Sequence, residues 1–189
     1  ITPLVEKALG ANQARVRDAA RLAEFANQLA SDDPKTRADA AVGLIKAGPY
    51  AVAPLMDVLG DPDRASEHEA ATGVLLRLGP DAVKPLIAML DVEDPDTVRA
   101  AISALGRIGD KGAALYLLAA YAEHYDDDAT RQAASAALER LMAAEPNREE
   151  AVQVLMDRAQ RYFDRRQVME TDADGNVPMW VYDPRQKTP

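Results

Sequence analysis

The chain holds two histidines, and one of them, His68, is followed directly by Glu69. An imidazole beside a carboxylate suits a transition metal, but an iron site needs several nitrogen and oxygen ligands converging on one ion. The other histidine, His124, is followed by Tyr125, so one such pair is present and no set. His68 is therefore expected to be an ordinary surface histidine rather than a metal ligand. A second candidate is "ETDADGNV", residues 170–177, which places oxygen donors at the first, third and fifth positions of a calcium loop. Glycine falls at the sixth position and an aliphatic residue at the eighth, as such loops require. The twelfth position, where a bidentate acid completes the coordination, is Val181. A hairpin turn is the expected reading of this stretch, with Asp174 and Gly175 supplying the turn. No metal site and no cofactor are expected.

Cysteine is absent, so neither a disulfide framework nor a thiolate site is possible. No nucleophile–base pair, phosphate-cradling glycine loop or basic strip with interleaved aromatics is found, and no catalysis is expected. The formal charge of −9 argues against nucleic acid or an anionic membrane as the main partner. No run of eighteen apolar residues is present, so no membrane span is expected. No signal peptide is visible, and the chain opens with Ile1 rather than methionine. That is expected of a chain whose leader was removed, or of a piece of something longer.

Residues of these types need elements to hold them, and the elements announce themselves by repetition. "GPYAVAPL", residues 48–55, returns as "GPDAVKPL", residues 79–86. Leu44, Leu75, Leu105 and Leu138 each centre an alanine-rich helical stretch, at intervals of about 30 to 33 residues. An acidic turn precedes each: "SDDP", "GDPD", "EDPD" and "DDD". Apolar residues are 48% of the chain but aromatics only 5%, which suits closely packed helices. Two helices per unit at this period make a helical solenoid, because neither helix can bury its apolar stripe alone.

Each unit is predicted to work in the same way. Asp33, Asp61 and Asp94 cap a first helix, with Pro34, Pro62 and Pro95 in its first turn. Gly48, Gly79 and Gly109 end that helix. A second helix then buries Val52, Leu55 and Leu59, or Val83, Leu86 and Leu90, at helical spacing. The acidic residues Asp32, Asp33, Asp61, Asp63, Asp94, Asp96, Asp126, Asp127 and Asp128 then line one edge. Capping is their main expected task, with steering of a basic partner a secondary one.

These units resemble HEAT repeats, in particular the alanine-rich variety named for phycobilisome-lyase proteins. The resemblance is carried by "DPDTVRAAISALGRIGD", residues 94–110, and by the two "GPxAVxPL" phrases, and it covers residues 31–145 most strongly. It implies an all-α, α-α superhelix of about four helix pairs, residues 31–60, 61–92, 93–125 and 126–166. It also implies an arginine about seven residues before each helix leucine, packing as a ladder between units. Arg37 and Arg131 match, Arg99 is one place off, and the second unit carries His68-Glu69 instead. That pair is similar to the His-Glu motifs of HEAT-repeat deoxyhypusine hydroxylases, where several repeats together hold two irons. The resemblance implies a non-catalytic module binding a protein or peptide along the concave face. Its alternative is a subunit of a bilin (tetrapyrrole) lyase-like complex.

The flanks complete the expected fold. Residues 1–30 are predicted as N-terminal capping helices, with Val16, Ala20, Ala23 and Ala26–Ala30 on a helical stripe and Leu22, Phe25 and Leu29 beside it. Asn147 caps a last helix whose Leu155, Ala159, Tyr162 and Phe163 close the open end. Residues 167–189 are predicted as a small β-hairpin cap and tail, with Trp180 packed on the last helix.

The binding surface is expected on the second helices. If Val52, Leu55 and Leu59 face inward, Tyr50, Ala53 and Asp57 face outward, with Asp81, Lys84 and Ala88 as their counterparts. The third unit adds Tyr116 and His124, and Tyr121 falls either on this surface or in a leucine slot of the core. The candidate partner-binding residues are thus Tyr50, Asp57, Asp81, Lys84, Tyr116 and His124, and tyrosines are typical interface anchors.

Overall fold

The computed structural model describes residues 18–143, 147–164, 166 and 180. Their helices are α1 (Ala19–Gln28), α2 (Pro34–Ala47), α3 (Val52–Leu59), α4 (His68–Leu78), α5 (Pro80–Ala88), α6 (Pro95–Ile108), α7 (Ala114–Glu123), α8 (Asp128–Met142) and α9 (Arg148–Phe163). First helices stack on first helices in chain order, α2 on α4, α4 on α6 and α6 on α8. Second helices form the other layer, with α3 against α5 and α7 against α9. α1 covers the open side of α2 and α3. The fold is an all-α solenoid.

The layers meet over the leucines that mark the repeat. Leu44, Leu75, Leu105 and Leu138 are each 0% exposed, as are Val52, Leu55, Leu86 and Leu117 from the second helices. Gly48 and Gly79, with φ near +60°, let the chain leave one helix and start the next within a residue or two. The stretch Pro34–Leu59 has the length and mean hydropathy of a membrane span. Half of the apolar window within it is buried, however, with Leu44, Ala47, Val52 and Leu55 in the core on both sides of the bend at Gly48.

Three of the four first helices start with the same local device. Asp33, Asp94 and Asp127 accept backbone N–H groups of the first turns of α2, α6 and α8. Thr36, Thr97 and Thr130, three residues further on, donate their hydroxyls to the same carboxylates at 2.6, 2.5 and 2.5 Å. These hydroxyl bonds, with the backbone N–H bonds beside them, hold all three carboxyls below the ordinary aspartate value. A depressed folded-state pKa stabilises the fold above the unfolded value and loses that contribution as pH falls through the folded one. The melting temperature is therefore expected to fall as pH is lowered below about 4. Exchanging all three aspartates for asparagine keeps the caps but should flatten that dependence, as read by thermal unfolding at a series of pH values.

The second unit departs from this pattern. Position 64 is arginine, not threonine, and Asp61 accepts only from the Asp63 N–H among first-turn donors, at 2.9 Å. Pro62–Glu67 winds as a 3-10 turn with Arg64 outside helical geometry, and α4 begins only at His68. The expectation that Asp61 caps the first helix of its unit is corrected accordingly. Without the hydroxyl that completes the cap, the segment closes into the tighter turn and Arg64 pairs with Glu67.

Two expectations for the flanks also change. α1 buries Leu22, Ala26 and Leu29, while Ala20 and Ala23 are exposed. Larger apolar side chains gain more from burial, so Leu22 and Leu29 set the inward face and, of these alanines, Ala26 alone shares it. At the other end Leu155 is half-buried, Ala159 is exposed and Phe163 is 84% exposed. α9 has 16 residues and packs on the 10-residue α7, so its last turns extend past their support. Residues 1–17, the calcium-like loop and the hairpin lie outside the described residues, apart from Trp180. The ring of Trp180, expected on the last helix, lies 5.9 Å from that of Tyr50 in the first unit.

Candidate functional site

The second-helix layer carries the six candidate residues, but not as one patch. Tyr50 sits on the 3-10 turn Gly48–Ala51 at the head of α3 and is half-buried against the core. α5 packs on that turn, and its first two turns carry Asp81 and Lys84, both exposed. Tyr116 lies in the first turn of α7 and is 51% exposed. These four residues share the edge at which second helices begin. Asp57 and His124 lie at the opposite ends of α3 and α7, toward the acidic turns.

Asp57 is half-buried. Glu67 holds the Arg64 guanidinium more firmly protonated than usual, and the charges of Asp61 and Asp57 add to that effect. His124 is the C-cap of α7. Its N–H donates to the Ala120 carbonyl and its own carbonyl accepts from Asp127, each at 3.0 Å. Its backbone therefore joins the third unit to the fourth.

Two positions read as outward are not. Ala53 is 1% exposed, because α1, α4, α5 and α6 surround α3 on nearly every side. Ala88 is half-buried. Tyr121 is 8% exposed and takes the leucine slot, its ring edge-on to Tyr125 at 6.0 Å. Tyr116 follows the opposite course. Counted back from the buried Leu55, Leu86 and Leu117, it matches Pro54 and Pro85, both buried. The third unit thus presents a large aromatic ring where the others bury a proline.

The residue at the arginine position is used for backbone satisfaction. Arg37 donates to the carbonyls of Ser31 and Asp32 at 2.6 and 3.0 Å, and Arg131 to that of Tyr125 at 2.9 Å. His68 does the same task in the second unit, its Nε2 lying 3.0 Å from the Asp61 carbonyl oxygen. Arg99, one place along, instead reaches across units to Asp127 at 3.6 Å while also pairing with Asp96. Among the described residues no three histidine, aspartate or glutamate side chains are grouped so as to hold a metal ion.

Tyr125 was not singled out by its sequence context. Its ring receives the guanidinium of Arg131 at 5.1 Å and that of Arg148 at 4.4 Å, fastening the starts of α8 and α9 to the end of α7. Arg131 lies on the next helix and Arg148 on the one after it, so the clustering leaves no local periodic signal.

A family model of HEAT repeats matches residues 22–103, 52–139 and 83–171, which together span residues 22–171 of the 189. A comparison with curated proteins returns no match. HEAT repeats commonly mediate protein–protein interaction. Paired helices in two layers, a leucine at each repeat and the overlapping matches lead to one conclusion: the chain belongs to the HEAT-repeat family.

Proposed function

We propose that this chain is a non-catalytic adaptor that binds a protein or peptide along its second-helix layer. Tyr116 is the observation that carries this reading. It is a half-exposed aromatic in a chain with few aromatics, at a slot where two other units bury proline. Asp81 and Lys84 add exposed charges of both signs on the neighbouring unit. A large amphipathic ring beside mixed charges is the composition of a protein-binding surface, and the net negative charge disfavours nucleic acid. The alanine-rich first helices and the "GPxAVxPL" phrases favour a second reading, a subunit of a bilin (tetrapyrrole) lyase-like complex. A bilin-binding role would then show as a shifted visible absorbance on adding a tetrapyrrole.

Panning a library of linear peptides against the full chain tests the main reading. Changing Tyr116 and Lys84 to alanine is expected to weaken the selected peptides by about tenfold or more, since interface energy concentrates in few side chains. Changing Lys35 and Arg107, on the first helices, should leave affinity within about twofold. The reverse pattern would place the site on the first-helix layer and defeat the proposal.

A further inference from the structure

Trp180 is the chain's one tryptophan, and its ring is half-buried 5.9 Å from Tyr50, tilted by 58°. That separation and tilt are those of a favourable aromatic pair. The contact places a residue that follows the last described helix beside the first unit. α9, which packs on α7, ends at Phe163, whereas Tyr50 belongs to the first unit. The intervening chain has enough reach: 15 residues lie between Asp164 and Trp180 in numbering, and extended chain covers about 3.3–3.6 Å per residue. Stacked units are roughly 10 Å apart, the usual spacing of packed helices.

Tyr50 belongs to the same edge of the second-helix layer as Asp81, Lys84 and Tyr116. We propose that this edge accepts a large aromatic side chain at Tyr50, that Trp180 fills the position in cis, and that a partner presenting a tryptophan or tyrosine must displace it. The proposal rests on the second-helix layer being the binding surface. It adds to that reading the chemistry of the partner and a built-in competitor. A cis occupant lowers the apparent affinity of any partner by the fraction of molecules it leaves open. Occupancy of about nine molecules in ten would cost a partner about tenfold.

A single tryptophan makes the contact directly observable. In the full chain, Trp180 emission is expected at shorter wavelength than after unfolding in urea, with acrylamide quenching restrained. Tyr50→Leu, which keeps apolar bulk on the core but removes the ring, should shift the emission to longer wavelength and increase quenching. Circular dichroism would verify that the helices are retained. The second arm uses a synthetic peptide of residues 176–184, NVPMWVYDP, added to the full chain and to its Trp180→Ala variant. The variant is expected to bind the peptide about tenfold more tightly, and a peptide with alanine for both the tryptophan and the tyrosine should bind neither. Emission that is solvent-like from the start, or unmoved by Tyr50→Leu, would overturn the cis contact. Equal binding to both chains, or to neither, would overturn the competition. Peptides selected through Tyr116 and Lys84 would still bind in those cases, so failure here is distinct from failure of the adaptor reading.

Discussion

A valine in place of Gly106 is expected to destabilise the solenoid by at least about 2 kcal/mol and to lower its melting temperature by about 4–8 °C. Gly106 lies in the interior of α6, where glycine costs roughly 1 kcal/mol relative to alanine. Its local cost is offset by the close crossing of α6 and α8. A Cβ at position 106 would stand 2.6 Å from the Ala137 Cβ and 2.7 Å from the Ala137 Cα. The obstacle is backbone and a methyl group, neither of which can rotate away, so the helices themselves must separate. Gly73, inside α4, provides the contrast: a Cβ there meets nothing within 4 Å. Gly73→Ala should therefore raise the melting temperature by about 2–4 °C, as removal of an unneeded helix glycine does. Thermal unfolding followed by far-ultraviolet circular dichroism reads both. Gly106→Ala combined with Ala137→Gly should recover much of the loss seen in Gly106→Ala alone, since the pair shares one contact. Equal tolerance at positions 73 and 106 would show that α6 and α8 are not in close contact.

The contrast between these glycines shows what was legible in the amino-acid sequence. Leu44, Leu75, Leu105 and Leu138, the aspartate caps and the positive-φ glycines act within a few residues of themselves, so spacing alone located the helices. The delayed start of α4 had a local cause too. Threonine follows the capping aspartate by three residues at positions 36, 97 and 130, whereas position 64 is arginine. That signal is local and lies within the sequence itself. Other features depend on neighbours remote in the chain. Ala53 is buried because α1 and α6 close over α3, and nothing within α3 records either. Gly106 needs α8, and Trp180 stands beside Tyr50 from the far end of the sequence. The candidate surface divides in the same way. Asp81 and Lys84 are exposed as helical periodicity implied and Tyr116 is exposed at a slot where the other units bury proline, whereas the half-burial of Tyr50 and Asp57 arises from packing between units.

Removing side chains from the core separates the middle of the array from its end. Leu105 is 0% exposed on α6, a helix that packs against α3, α4, α5 and α8. Leu105→Ala is expected to cost about 3 kcal/mol, the sum of lost transfer energy and the cavity left among neighbours too well braced to collapse. Leu155 on α9 is half-buried, and α9 rests chiefly on α7. Leu155→Ala should cost about 1 kcal/mol, because less surface returns to water and the end helix can relax. The two changes also differ in where they act. In a stack held by nearest-neighbour interfaces, weakening a central helix loosens the units on both sides, whereas weakening an end helix promotes local opening. Amide hydrogen exchange should therefore quicken from α3 through α8 in Leu105→Ala, and only in α9 and the facing side of α7 in Leu155→Ala. A uniform rise in exchange for both variants would mean that the solenoid unfolds as one block. α9 would then be as integral to the core as α6, despite its exposed Met156 and Phe163.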